Sequence, residues 1–271
     1  MIISFQSHFK LETTCKAGAN LIYQILLLAL AGFIAAFVDS IAGGGGLISL
    51  PTLLAAGVPP HFALGTNKFA STAASLTSSI KYAQSDKVDF RLLKFLIPFT
   101  LVGAALGANT VLAIDQHFLS IMVLVLVLGV GLYSLFSKQV GAEAHLKPYT
   151  RYNIAAGILL AFSLGFYDGF FGPGTGSFLM FGLITLYGFD FVQSGGNARV
   201  LNFASNIAAL ATFALHRQVN YLVGLPMLLA MIGGARLGTK MALTKGVKIV
   251  KPLFVAMSLA VAVKMLWSFL Q

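Results

Sequence analysis

Charge is scarce in this chain. Of its 271 residues only 10% are Asp, Glu, Lys or Arg, whereas 58% are apolar and 23 are Phe. A soluble domain of this length would need far more charge to cover its surface, so the composition excludes an ordinary soluble protein. We therefore expect most of the outer surface to face lipid.

Cysteine is scarcer still, since Cys15 is the only one. A single cysteine excludes an internal disulfide bond and a cysteine-based metal cluster. The five histidines lie in tails or at the ends of apolar runs, without the spacing of metal ligands: His8, His61, His117, His145 and His216. We predict no metal, no cofactor and no catalytic residue.

Acidic residues are also few. Eight Asp and Glu stand against 18 Lys and Arg, which gives a formal net charge of +10. Such an excess can indicate nucleic-acid binding, but the basic residues lie mainly in short loops between apolar runs, where they orient membrane proteins. We predict no nucleic-acid partner and a lipid bilayer as the surroundings.

Long apolar runs take the place of charge. Crossing a ~30 Å hydrocarbon core takes about 20 apolar residues, and eight runs approach that length: 21–41, 64–83, 92–112, 117–136, 153–171, 197–215, 222–238 and 252–270. Two shorter runs, 47–57 and 177–187, follow Gly-rich breaks and would span about half of the core as helices. The predicted fold is an all-α polytopic membrane protein with eight long transmembrane helices and two short broken or half-helices.

The two halves of the chain repeat each other. The segment FVDSIAGGGGLISL around Asp39 corresponds to FYDGFFGPGTGSFL around Asp168. An overlay with a shift of 129–131 residues aligns further positions: Gly43 with Gly172, Lys68 with Arg199, Ser71 with Asn202, and Ser75 with Asn206. These matches predict an internal duplication. The implied organisation is a tail (1–20), a first membrane repeat (21–136), a cytoplasmic linker (137–152) and a second membrane repeat (153–271).

Loop charges predict that the repeats are inverted. Loops 84–91 and 239–251 are basic and so are expected on the cytoplasmic side, as is the basic linker. The repeat equivalent of 84–91 is 216–221, which lies one span before 239–251 and therefore on the other side. Inversion requires an odd number of crossings per half, which counts each short run with its Gly break as a crossing.

The Gly-rich breaks predict an anion site. Glycine inside a helix costs about 1 kcal/mol relative to alanine, so we expect the helices to open there. The residues concerned are Gly43, Gly44, Gly45, Gly46, Gly172, Gly174 and Gly176. Freed backbone amides must line a protein cavity, and helix fragments starting near Leu47 and Ser177 would direct positive dipole ends into it. The alternative is close helix packing through small residues.

Two carboxylates lie within apolar runs, Asp39 and Asp168. Charge at bilayer depth is costly unless it is paired or neutralised, and Lys68 and Arg199 are the natural partners. Two interpretations stay open: structural ion pairs that lock each half, or a working site in which Lys68 and Arg199 hold an anion while an Asp takes up a proton.

A layer of polar side chains accompanies these charges. At helical spacing it comprises Asn67, Ser71 and Ser75 in one half and Asn202 and Asn206 in the other. Thr66 and Asn197 belong to the same region. These groups could bind sulfonate or carboxylate oxygens, or only join helices by hydrogen bonds.

Five motifs in order carry a family resemblance: DSIAGGGGLISLP (39–51), ALGTNKFAS (63–71), GFYDGFFGPGTGSF (165–178), NARVLNFASNIAAL (197–210) and GARLG (234–238). The chain resembles the TauE/SafE sulfite exporter superfamily, in detail its YfcA-type members. That resemblance implies an inner-membrane carrier of small anions such as sulfite, sulfonates and related organosulfur or organic acids.

The sequence thus predicts a bacterial inner-membrane secondary transporter of a small anionic substrate, coupled to protons and working by alternating access between the repeats. The alternatives are a passive anion channel and a membrane scaffold without transport. An intramembrane aspartyl protease is disfavoured, because Asp168 stands in Phe-Tyr-Asp-Gly rather than in a GxGD pattern. We predict that the protein is not an enzyme.

Overall fold

The computed structural model describes residues 23–116 and 144–245, with Phe118, Leu119, Met122, Val125, Leu126 and Gly129 between them. In these residues all regular structure is helical. Eight helices have defined bounds: α1 (Tyr23–Ala42), α2 (Gly46–Ala55), α3 (Pro60–Ala83), α4 (Phe90–Leu112), α5 (Arg151–Phe170), α6 (Thr175–Tyr187), α7 (Phe191–Leu215) and α8 (Tyr221–Lys245). The expected tail, most of the run 117–136, residues 137–143 and the run 252–270 lie outside the described residues.

Five of these helices are long and apolar enough to cross a membrane: α1, α4, α5, α7 and α8. The run 64–83 does form a helix of 24 residues, α3, but that helix is more polar than the five. It buries Asn67, Lys68 and Ser75. We conclude that α3 lies largely inside the bundle, with Leu76 and Ile80 on its exposed side.

Side-chain caps fix the starts of three helices. The Asp89 carboxylate accepts from the backbone N–H of Arg91 and Leu92 and begins α4, while Thr150 begins α5 and Asp190 begins α7 in the same way. Each such cap satisfies N–H groups that the helix leaves unpaired and contributes about 1 kcal/mol.

Glycines join the two halves of the chain. In one contact Gly103 and Gly107 of α4 lie against the backbone of Phe162 and Phe166 in α5; in the other, Gly234 and Gly238 of α8 lie against that of Phe33 and Phe37 in α1. A Cβ at any of these glycines would overlap the facing carbonyl. Along each contact the residue numbers of the two helices increase in the same direction, so each helix pair is parallel.

Helices α3 and α7 run antiparallel. Near the start of α3, Thr66 Oγ1 accepts the backbone N–H of Asn220, beyond the end of α7, at 3.0 Å. Near the start of α7, Asn197 Oδ1 accepts the backbone N–H of Asp89, beyond the end of α3, at 2.8 Å. The two helices are equivalent in the sequence repeat, yet they point in opposite directions.

The helices open at both Gly-rich breaks. After α5 the chain turns and α6 runs back along it, since the Tyr187 hydroxyl donates to the Asn153 carbonyl at 3.0 Å. With 13 residues α6 rises about 20 Å, less than the ~30 Å core. α5 and α6 therefore form a hairpin with both outer ends on one face. This is the parity required if the short run and its break count as a crossing, which stays a prediction.

One face of the bundle collects the segments expected in the cytoplasm. Lys81, at the end of α3, donates to the Arg236 carbonyl of α8 at 3.0 Å, and the Tyr149 hydroxyl donates to the Asp89 carboxylate. We call this side, with residues 84–89 and 144–150, the linker face.

Candidate functional site

The two copies of the repeated phrase meet inside the bundle. Gly43 lies against the backbone of Gly176 and Ser177, and Gly46 lies against Pro173. The Ser177 hydroxyl donates to the Ala42 carbonyl at 2.9 Å. Breaks that are 129 residues apart in sequence thus form a single structural feature.

Glycine is required in these breaks by backbone conformation. Four residues have positive φ: Gly43 (77°), Gly44 (98°), Gly172 (100°) and Gly174 (86°). Residues with a Cβ rarely adopt this region, so the breaks depend on glycine beyond the need for close packing.

Two ion pairs cross between the halves. Lys68 Nζ lies 2.8 Å from Asp168 Oδ2, and both side chains are almost fully buried. Arg199 Nη1 pairs with Asp39 Oδ2, and the Asp39 side chain is 23% exposed. The interpretation that each pair locks its own half is wrong in its pairing, because antiparallel α3 and α7 bring each cation to the carboxylate of the opposite half.

Lys68 belongs to a polar layer between α3 and α7. Its ammonium donates to Asn206 Oδ1 at 3.0 Å. The Asn206 amide in turn donates to Ser75 Oγ at 3.4 Å and to Asn202 Oδ1 at 3.3 Å. Lys68 is therefore held by the Asp168 carboxylate and the Asn206 amide oxygen together. The two hydrogen bonds that the Asn206 amide donates are long and therefore weak.

A small cavity of about 30 Å³ lies beside the ion pairs. Of the predicted site residues, the following line it: Asp39, Gly45, Gly46, Asn67, Lys68, Ser71, Asp168, Gly172, Gly174, Gly176, Asn202 and Asn206. The cavity is therefore small, and the partly exposed Asp39 side chain lies in its wall.

Five predicted site residues do not line this cavity: Gly43, Gly44, Thr66, Asn197 and Arg199. Thr66 and Asn197 use their side-chain oxygens on backbone N–H groups at opposite ends of the α3–α7 contact. This placement gives both residues a structural task. Arg199 lies behind the cavity wall, between Asp39 and Gly176.

Two residues around the site were missed by sequence reasoning. Ser49 donates to Asn67 Oδ1 at 2.6 Å, and buried Tyr82 donates to the Ser40 carbonyl at 3.0 Å. Ser49 lies in the repeated phrase, where a hydroxyl three residues after the glycine run was an available signal. Nothing in the sequence marks Tyr82, because its repeat equivalent is Phe213.

Fold and site together define a multi-pass helical membrane protein with a charged interior site built from both halves. The model of the family Sulfite exporter TauE/SafE matches residues 28–265. The chain belongs to this family, as its motifs predicted, and is a membrane transporter.

Named relatives agree with this assignment. A probable membrane transporter protein of Haemophilus influenzae is 41% identical over 243 residues, covering 90% of this chain and 94% of the relative. Probable membrane transporter protein ORF9 of a Sinorhizobium species is 38% identical, with 90% and 93% covered. The probable membrane transporter protein YfcA of Escherichia coli K12 is 36% identical, with 89% of each chain covered. No solved structure matches this chain.

Proposed function

We propose that this protein is a proton-coupled secondary transporter of a small anion, such as sulfite, a sulfonate or a related organosulfur or organic acid, in the bacterial inner membrane. The observation that carries the proposal is a pair of buried cations, Lys68 and Arg199, at the meeting point of two broken helices. Buried charge inside a membrane bundle is costly and marks transport pathways.

The helix N-termini support an anion as the substrate. Helix α2 starts after Gly45 and α6 after Gly174, and neither of these N-caps offers a side-chain oxygen to the first turn. Both glycines line the cavity. The Asp39 carboxylate already accepts the Gly45 N–H at the start of α2, at 3.0 Å. Both N-termini contribute partial positive charge to one space, the arrangement by which broken helices bind anions in transporters.

Charge balance supports coupling to protons. The four side chains Asp39, Arg199, Lys68 and Asp168 sum to zero, so an added monovalent anion would leave one uncompensated negative charge in a buried site. Uptake of one proton by a carboxylate restores neutrality and frees a cation for the anion. We therefore propose that one proton accompanies each monovalent anion.

Alternating access between inverted repeats is the proposed mechanism, with one membrane repeat on each side of the linker. The antiparallel course of the equivalent helices α3 and α7 supports the inversion. Lys68 and Arg199 each lie eight residues after the first residue of their helix, about 12 Å along its axis. Because α3 and α7 are antiparallel, the two starts lie at opposite faces of the bundle. The two ion pairs are thus suited to close the cavity toward opposite faces.

Uptake into proteoliposomes tests this function. A proton-coupled carrier gives saturable uptake of labelled sulfite or sulfonate that an imposed pH gradient accelerates. A channel gives flux that does not saturate, and a scaffold gives none, so either result refutes the proposal. Asp168→Asn, at the cavity, should abolish the acceleration by the pH gradient. Asp86→Asn is its matched control, because it removes an acidic side chain in the loop 84–91 rather than at the cavity.

Reporter fusions test the orientation. Fusions after Asp115 and after Lys245 should report opposite sides of the membrane, with Lys245 on the cytoplasmic side together with the linker face. Finding both reporters on the same side would refute the inverted arrangement.

A further inference from the structure

The two buried cations have unequal surroundings, although they occupy equivalent positions in the repeat. Lys68 Nζ has both the Asp168 carboxylate at 2.8 Å and the Asn206 amide oxygen at 3.0 Å. Arg199 binds Asp39 through Nη1, but its Nη2 has no hydrogen-bond partner among the described residues, and the side chain is 1% exposed. A buried donor without an acceptor is unfavourable and rare. Both N–H donors of Arg199 Nη2 are therefore unused among the described residues, whereas Lys68 Nζ has acceptors for two of its three donors.

The unused donors lie at the start of α6. Arg199 Nη2 is against Gly176, where a Cβ would overlap it. Gly176 is in the first turn of this helix, whose N-cap Gly174 has positive φ and no capping side chain. The Arg199 guanidinium and the positive end of the α6 dipole are thus both located at Gly176. Two independent sources of positive charge there call for a negative group.

The carboxylate partner of Arg199 is the more exposed of the two, although its Oδ1 also accepts the Gly45 N–H at 3.0 Å. The Asp39 side chain is 23% exposed and lines the cavity, whereas the Asp168 side chain is 3% exposed. An arginine binds two oxygens of one anion with its planar fork, whereas a lysine acts as a point charge. An incoming anion with two oxygens could therefore displace Asp39 from Nη1 and also use Nη2.

We infer that Arg199 is the residue that binds the substrate, that a small oxyanion takes the place of the Asp39 carboxylate on its guanidinium, and that Lys68 holds the two halves together. This inference rests on the proposed function and narrows its substrate class to anions with at least two oxygens on one atom: carboxylates, sulfite and sulfonates. A halide cannot use both donors in this way.

Thermal unfolding of the purified protein tests the assignment with sodium sulfite, methanesulfonate and acetate against sodium chloride at equal ionic strength. We expect at least one oxyanion to stabilise the wild type and chloride to have no effect. Arg199→Lys keeps the charge but removes the fork, and should raise the oxyanion concentration needed for half of the shift by about tenfold or more. Lys81→Arg, a charge-preserving control at a partly exposed position outside the cavity, should stay within about threefold of wild type.

A second pair of variants covers the case in which Arg199→Lys does not fold. Gly176→Ala places a methyl group on the Nη2 side and should abolish the oxyanion shift. Gly182→Ala lies in the same helix, where the added methyl meets only the flexible end of Leu160, and should keep the shift. Equal responses of these two variants would overturn the assignment.

Removing the carboxylate that competes with the anion should change the oxyanion concentration needed for half of the shift in the opposite direction. Asp39→Asn should lower the concentration of oxyanion needed, because the anion no longer displaces a charged partner. A weaker response of Asp39→Asn, or a larger loss in Lys81→Arg than in Arg199→Lys, refutes the role of Arg199. No response of the wild type to any oxyanion instead refutes the proposed function itself, and the assignment falls with it.

Discussion

Breaking the Lys68–Asp168 pair should cause a large loss of stability. Lys68→Met keeps a side chain of similar length but leaves the Asp168 carboxylate, 3% exposed, without its cation, and it removes the donor to Asn206. Removal of one member of a buried ion pair costs about 3–5 kcal/mol, because the remaining charge stays buried and uncompensated. We expect a loss of this size in the free energy of unfolding.

The double variant Lys68→Met/Asp168→Leu separates the charge effect from packing. Replacing both members of a buried pair by apolar side chains is often neutral or stabilising, so the double variant should regain most of the loss. Lys81→Met is the matched control, because Lys81 lies in the same helix but is exposed and should lose less than about 1 kcal/mol.

Unfolding by SDS in mixed micelles, followed by circular dichroism, measures these differences. The reasoning is refuted if Lys68→Met costs no more than Lys81→Met. It is also refuted if the double variant is as unstable as the single one, since the loss would then come from side-chain packing and not from an unpaired carboxylate.

Three further outcomes are expected. Gly107→Val should prevent the contact of α4 with the Phe166 carbonyl and cost at least about 3 kcal/mol in the same unfolding assay, and a smaller loss would contradict the glycine contact. Asn197→Ala should cost about 1–3 kcal/mol, because the Asp89 N–H loses its acceptor, yet leave the oxyanion shift unchanged; loss of that shift would place Asn197 in the site. Burial and the hydrogen bond to Asp89 raise the pKa of Tyr149, so its contribution is present at neutral pH and is lost as the pH rises above about 10. Tyr149→Phe should therefore be less stable than wild type at pH 7, and a difference that grew toward alkaline pH would contradict this sign.

The breaks were predictable from sequence because their cause is local. A run such as Gly43–Gly46 disfavours a continuous helix whatever surrounds it, and the structure has positive φ at Gly43 and Gly44. The starts of α4 and α7 also have local causes, the Asp89 and Asp190 caps, although the apolar runs placed these starts at 92 and 197, later than the structure has them.

The partners of the charges were not predictable, because they depend on tertiary direction. The repeat makes Lys68 and Arg199 equivalent, but only the antiparallel contact of α3 with α7 decides that each meets a carboxylate of the other half. The sequence placed Asn197 in the region of Asn202 without showing that Asn197 binds the backbone beyond α3. Equivalence in sequence therefore selected these residues as candidates but did not show their contacts.

The same duplication also accounts for the inequality of the two cations. Perfect symmetry would give Arg199 the neighbour that Lys68 has, yet the equivalent of Asn206 is Ser75. The Ser75 hydroxyl donates to the Ser71 carbonyl of its own helix at 2.8 Å, so it provides no amide oxygen for a guanidinium. A difference at one pair of positions thus leaves Lys68 with two acceptors and Arg199 with an open donor. Two halves of similar sequence can in this way divide the work, one cation joining the repeats and the other available to an anion.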